Sequence, residues 1–92
     1  MADAYGDLAT AAYKNKDYAL AIRALDARSK LEPDSPGAYF LRAQAYDELQ
    51  DIPNAIANYK QFLVVANGKF PNQEWQARHR LIAIDPKERK KR

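Results

Sequence analysis

Apolar residues recur along this chain at the three- and four-residue spacing of amphipathic helices. Five stretches carry the pattern, and short polar turns or proline-containing segments separate them. The spacing predicts helices over residues 2–14, 18–30, 36–49, 52–66 and 73–84. We therefore expect an all-α fold with five helices.

The first two helices recur 34 residues later in the sequence. Tyr39 corresponds to Tyr5 and Asp51 to Asp17, and no gap interrupts the alignment. The other matching positions are small or apolar, and they pair Ala9 with Ala43, Ala21 with Ala55, Ile22 with Ile56 and Leu25 with Tyr59. A fixed period of this length is typical of helical arrays, in which each unit buries its apolar face by stacking on a neighbour. The repeat predicts an α-α superhelix of antiparallel helix pairs.

The segments between the helices contain residues that end or begin helices. Ser35 is expected to cap the third helix, with Pro36 in its first turn. Gly68 accepts the left-handed backbone that ends the fourth helix, and Asn72 is expected to cap the fifth. We predict one domain over residues 1–86, with repeats at 2–35 and 36–69 and a capping helix at 72–84.

Charge is unevenly distributed along the chain. The formal net charge is +3, but the last six residues, 87–92, hold five bases and one acid. Residues 1–86 therefore carry a net charge of −1, and the basic character belongs to a tail. Asp85 and Pro86 could begin a further helix, which we expect to fray when nothing follows it. The tail lacks interleaved aromatic residues, so nucleic acid is an unlikely partner in our interpretation.

These features resemble the tetratricopeptide repeat family over residues 2–69. The first unit matches the family pattern at Tyr5, Leu8, Ala9, Ala12, Ala21, Leu25 and Pro33, and the second at Tyr39, Ala43, Tyr46, Ala55, Tyr59 and Phe62. Three positions depart from that pattern. Arg42 stands where the family prefers a bulky apolar residue, Arg28 where it prefers alanine, and Asn67 where it prefers a closing proline.

The resemblance implies a non-catalytic module that binds a peptide or helical segment of another protein on its concave face. Tyr13 and Phe40 are expected to be apolar anchors, with Gln44 and Asp47 as polar ones. The full set of residues implied to line this face is Asp7, Thr10, Tyr13, Lys14, Phe40, Gln44, Asp47 and Arg80.

Self-association is the alternative hypothesis. Helical arrays usually need three or more units for stability, and this chain has two. The uncovered edge of an end helix could therefore pair with a second copy, or with further repeats of a longer chain. In either case the chain would serve as a structural scaffold unit.

Candidate chemistry for catalysis is sparse in this sequence. The chain has one histidine, His79, no cysteine and only three scattered glycines, so we predict no catalytic centre, cofactor or metal site. No stretch is apolar enough to cross a membrane, and residues 1–10 lack the features of an export signal. We expect a cytoplasmic location for the chain as written, and a periplasmic or other one if it is part of a longer protein.

Overall fold

A computed structural model describes residues 2–90 of the chain, with side chains for residues 3–88. These residues form helices α1 (Ala2–Lys14), α2 (Tyr18–Ser29), α3 (Pro36–Glu48), α4 (Ile52–Ala66), α5 (Pro71–Ile84) and α6 (Pro86–Lys90). Consecutive helices pack against each other, and α1 also contacts α3. The predicted all-α class is confirmed, and the first four helices lie within one residue of their predicted bounds.

The two helix pairs turn with the same backbone geometry. Lys16 and Gln50, which are 34 residues apart, both have a φ of 64°. In each turn, the next residue donates its amide hydrogen to the carbonyl five residues earlier, at 2.8 Å after α1 and 2.9 Å after α3. This bond belongs to the Schellman arrangement, in which a left-handed residue ends the helix. The period read from the sequence is therefore also a period of the backbone.

Alanines allow the two helices of each pair to approach closely. Ala9 of α1 and Ala21 of α2 are fully buried, as are Ala43 of α3 and Ala55 of α4. A larger side chain at these positions would push the helices apart, because protein interiors are packed at nearly crystalline density.

The largest hydrophobic cluster lies between α3, α4 and α5 and is centred on Phe62, which exposes 2% of its surface. Its other buried members are Ala43, Ala55, Tyr59, Ala66, Ala77 and Leu81. Burial of a single phenylalanine side chain stabilises a fold by about 1.5–3 kcal/mol. The fifth helix therefore covers the apolar face that the second pair would otherwise expose.

The start of α5 differs from the prediction. Asn72 does not cap this helix, because the helix already begins at Pro71 and Phe70 occupies the cap position without a side-chain hydrogen bond. The buried carboxylate of Glu74 instead accepts hydrogen bonds from the amides of Phe70, at 2.8 Å, and Gly68, at 3.2 Å. An acid within the first turn thus satisfies backbone donors that a preceding polar residue was expected to satisfy.

The structure adds a sixth helix to the five that were predicted. Asp85 begins α6 by accepting a hydrogen bond from the amide of Lys87 at 3.0 Å. Its other carboxylate oxygen lies 2.9 Å from Nζ of Lys60 on α4. The bond from Lys60 lowers the pKa of the Asp85 carboxyl, and the bond from Lys87 adds to this effect. The predicted tail thus begins inside α6, and its last two residues lie outside the described part of the chain.

Arg42 connects the two helix pairs through a buried polar network. Its side chain exposes only 7% of its surface, and Asp34, which accepts two of its hydrogen bonds at 3.2 and 3.3 Å, exposes 12%. The guanidinium also donates to Ser29, Asp26 and Asn58 at 2.9, 3.1 and 3.3 Å. A charged group thus fills the position where the repeat pattern favours an apolar one, and its partners come from α2, α4 and the segment before α3.

Candidate peptide-binding face

α1 and α3 lie side by side and present equivalent positions of the 34-residue repeat. Thr10 corresponds to Gln44 and Tyr13 to Asp47. Thr10 and Lys14 are exposed, whereas Tyr13 and Gln44 are half-buried. The side chains predicted to bind a peptide therefore come from two neighbouring helices, but they differ in how much surface they leave open.

Asp47 and Arg80 meet directly at the junction of α3 and α5. The guanidinium of Arg80 donates from Nε and Nη2 to the two carboxylate oxygens of Asp47, at 2.7 and 2.8 Å. Tyr59 of α4 donates its hydroxyl hydrogen to the same carboxylate at 3.0 Å. Paired bonds between an arginine and a carboxylate are among the stronger polar contacts in proteins. Asp47 is therefore already bound by two groups of its own chain.

The environment of this cluster shifts the pKa values of its members. Burial raises the pKa of the Tyr59 hydroxyl, and the adjacent Asp47 carboxylate raises it further. The hydrogen bond to Asp47 raises the pKa of Arg80. Tyr59 therefore stays neutral and Arg80 stays positively charged in the folded protein. The cluster contains one ion pair, between Arg80 and Asp47.

Tyr13 lies near this cluster but has its own aromatic partner. Its ring packs edge to face on Tyr18, with 5.3 Å between the ring centroids. Burial raises the pKa of the Tyr13 hydroxyl, followed by the negative charge of Glu48. Tyr18 and Glu48 were not among the predicted site residues. Glu48 directly follows the predicted Asp47, and Tyr18 directly follows Asp17, which was used to align the repeats.

Phe40 contributes to the hydrophobic core as well as to the predicted face. Its ring centroid lies 4.9 Å from that of Phe62 and 6.3 Å from that of Tyr59. The side chain is half-buried, so only part of the ring remains open to a ligand. Truncation of Phe40 should therefore reduce stability in addition to any effect on binding.

Asp7 and Thr10 line a cavity of about 500 Å³ at the amino-terminal ends of α1 and α3. Its other lining residues are Asp3, Gly6, Leu25, Arg28, Ser35, Gly37, Ala38 and Leu41. This volume falls within the range of sites that bind small molecules or single side chains. Asp7 therefore faces a cavity and is not part of the Asp47 cluster.

Arg28 is the one cationic residue among the cavity-lining residues that the predicted set did not include. Its Nη2 donates to Glu32 at 2.7 Å, whereas its buried Nη1 has no hydrogen-bond partner among the described residues. A Cβ at Gly6 would lie 3.8 Å from Nε of Arg28, an ordinary contact distance, so alanine would also fit beside this guanidinium. The position of Arg28, where the repeat pattern favours alanine, was the signal that could have identified it.

The chain matches no family model, no curated protein and no solved structure. The tetratricopeptide resemblance consequently stays a prediction. Within residues 2–90, no helix combines the length and the apolar character needed to cross a membrane.

Proposed function

We propose that this chain is a tetratricopeptide-like interaction module that binds a peptide segment of another protein along α1 and α3, without a catalytic step. The observation that carries the proposal is the open cavity between α1, α2 and α3, which the predicted residues Asp7 and Thr10 line. The repeat in both sequence and backbone supports the same function, because stacked helix pairs create extended concave surfaces.

The charges along this face favour a basic peptide. Arg80 is paired with Asp47 and Arg28 with Glu32, so neither adds net positive charge. Asp3 and Asp7 remain at the cavity, and Lys14 is the exposed base at the far end of α1. Surplus carboxylates attract lysine and arginine side chains, and salt weakens that attraction. We expect basic ligands whose affinity falls with ionic strength.

Selection from a displayed library of random peptides tests this function. A selected peptide carrying a fluorophore is titrated with the wild-type chain and with Thr10→Arg, which places a long side chain at the cavity. We expect Thr10→Arg to weaken binding at least about tenfold, because it fills space that the ligand needs and adds repulsion. Gln61→Arg, at an exposed position of α4, is the matched control and should bind like wild type.

Circular dichroism of both variants separates loss of binding from loss of fold. The proposal is contradicted if the library yields no specific peptide, or if Thr10→Arg and Gln61→Arg bind the selected peptide equally well. Chemical-shift changes confined to α4 and α5 would likewise place the ligand on a different surface.

A further inference from the structure

Trp75, the one tryptophan of the chain, exposes 59% of its surface on α5, although tryptophan is largely buried in most proteins. Its ring stacks on that of His79, with 3.8 Å between the ring centroids and 28° between the planes. Nδ1 of His79 donates to the backbone carbonyl of Trp75 at 3.2 Å, which holds the imidazole against the indole. The pair therefore keeps the indole in place while more than half of its surface stays open to a planar ligand.

The side chains around this indole are polar. Asn72 lies one helical turn before Trp75 and Gln76 directly after it, and both are exposed, as is His79. A helix that inserts into a membrane surface needs a broad apolar face, and this side of α5 has none. Amide and imidazole groups can instead form hydrogen bonds with the edges of unpaired bases. The surroundings of Trp75 thus fit a ligand that is both planar and polar.

The most basic segment of the chain begins beside this part of α5. Residues 87–92 hold five bases and one acid. The helix in which they begin, α6, packs back on α5, and Glu88 of α6 lines a cavity of about 210 Å³ together with Arg78 of α5. Arg78 lies one turn after Trp75 and exposes 61% of its side chain, although it also contacts the buried carboxylate of Glu74 at 3.4 Å. Positive charge therefore lies within about one helical turn of the exposed indole.

We propose that this surface binds single-stranded nucleic acid, with Trp75 stacked on a base and the basic segment in contact with the phosphates. Nucleic acid is discounted as a partner when residues 87–92 are considered alone, because they contain no aromatic residue. In the folded chain, α5 supplies the aromatic ring. Stacking on an aromatic side chain and neutralisation of phosphates are the two contacts that hold single strands on proteins. The surface is separate from the predicted peptide-binding face, because Arg80 lies about 140° around α5 from Trp75.

The fluorescence of Trp75 reports directly on this contact, because no other tryptophan contributes to it. Titration of the whole chain with an oligothymidylate of about 12 nucleotides at low salt should quench the emission to a plateau, because a stacked base quenches indole fluorescence. The binding constant should fall with salt, with a logarithmic slope of about −2 to −3.5 for three to five neutralised phosphates. A duplex of the same length should leave the emission unchanged even where it binds the basic segment, because its bases are paired and stacked on one another.

Substitutions separate the stacking contact from the charge contact, with a fluorescein-labelled oligothymidylate followed by anisotropy. Trp75→Ala should weaken binding about tenfold without changing the salt dependence, because it removes a ring and no charge. Tyr5→Ala is the matched control, since it removes an exposed aromatic ring from α1, and it should bind like wild type. Lys87→Gln should weaken binding and reduce the salt slope by about 0.7, the loss expected for one phosphate contact.

Three results overturn the proposal: unchanged Trp75 emission while the oligonucleotide binds, equal effects of Trp75→Ala and Tyr5→Ala, or quenching by the duplex as strong as by the single strand. Vesicles that contain phosphatidylserine provide the comparison with a membrane surface. A blue shift of the Trp75 emission on these vesicles, without quenching by the oligonucleotide, would assign the surface to lipid instead. Circular dichroism checks that both alanine variants keep their helices, and the emission titration tests the contact in the unmodified chain.

Discussion

At the scale of single residues, Arg42 departs most from the repeat pattern, which favours a bulky apolar residue at its position. A buried guanidinium is tolerated here because hydrogen-bond acceptors surround it, and the largely buried carboxylate of Asp34 balances its charge. Asp26 is 56% exposed, so its contribution is largely screened by solvent. The network holds the two helix pairs together through one cation.

Replacement of Arg42 by alanine should lower the free energy of unfolding by about 3–5 kcal/mol, because it leaves the largely buried Asp34 carboxylate without its cationic partner and with Ser29 as its remaining donor. Urea denaturation followed by circular dichroism measures the change. Arg23→Ala is the control, since Arg23 is exposed on α2 and should change stability by less than about 0.5 kcal/mol. Equal effects of the two substitutions would mean that the buried network contributes nothing specific.

Tyr59 predicts a loss of stability at alkaline pH. Its folded-state pKa is raised above the ordinary value of 10, mainly by burial and then by Asp47. The unfolded chain therefore releases this proton at a lower pH than the folded chain, and stability falls as the pH rises above 10. Urea midpoints between about pH 8 and 11 measure this slope. Tyr59→Phe should reduce this dependence of stability on pH. Part of the dependence should remain, because the pKa values of Tyr13, Tyr18 and Tyr46 are also raised.

Tyr5→Phe, which removes an exposed hydroxyl on α1, is the control for this experiment. If Tyr59→Phe and wild type lose stability with the same slope, the phenol of Tyr59 must ionise as readily in the folded protein as in the unfolded chain.

At the scale of elements, the helices could be predicted because apolar spacing and turn residues are local signals. The boundaries of α1 to α4 follow from residues within each segment. The start of α5 could not be predicted in the same way, because the buried Glu74 carboxylate satisfies the amides that Asn72 was expected to satisfy. A sequence pattern does not reveal which way that side chain turns.

The contacts of the predicted binding residues could be anticipated only in part, for a similar reason. The family resemblance assigned Asp7 and Thr10 to the binding face, and in the structure they line the cavity. It gave no indication that Tyr59 would reach Asp47 across the helix pair, because that contact depends on how α3 and α4 cross. Burial of Arg42 depends in the same way on acceptors from three separate segments.

Glycine at the left-handed positions of the turns after α1 and α3 should stabilise the protein. Lys16 and Gln50 occupy left-handed backbone, which costs a residue with a Cβ roughly 1–2 kcal/mol, whereas glycine adopts it freely. Lys16→Gly and Gln50→Gly should therefore each raise the free energy of unfolding by about 0.5–1 kcal/mol, after the greater flexibility of glycine in the unfolded chain is subtracted. Urea midpoints measure the gain.

Gln61→Gly provides the contrast, because Gln61 is exposed in the middle of α4, where glycine should cost about 1 kcal/mol. A loss of stability in all three variants would show that the left-handed turns are not retained in solution.

At the scale of the whole molecule, the helices do not share the core equally. α4 contributes Tyr59, Phe62 and Ala66 to the largest cluster and is covered by α3 on one side and α5 on the other. α1 buries mainly Ala9 and Ala12, and its Tyr5 and Leu8 side chains remain exposed. Detachment of α1 therefore exposes much less apolar surface than unfolding of α4, and the array should open from its first helix.

Native-state hydrogen exchange distinguishes this order of opening from all-or-none unfolding. In dilute protein, amides of α1 should show protection at least about tenfold lower than amides of α4, because the free energy of local opening is smaller. Equal protection of α1 and α4 would instead mean that the two helix pairs unfold as one unit.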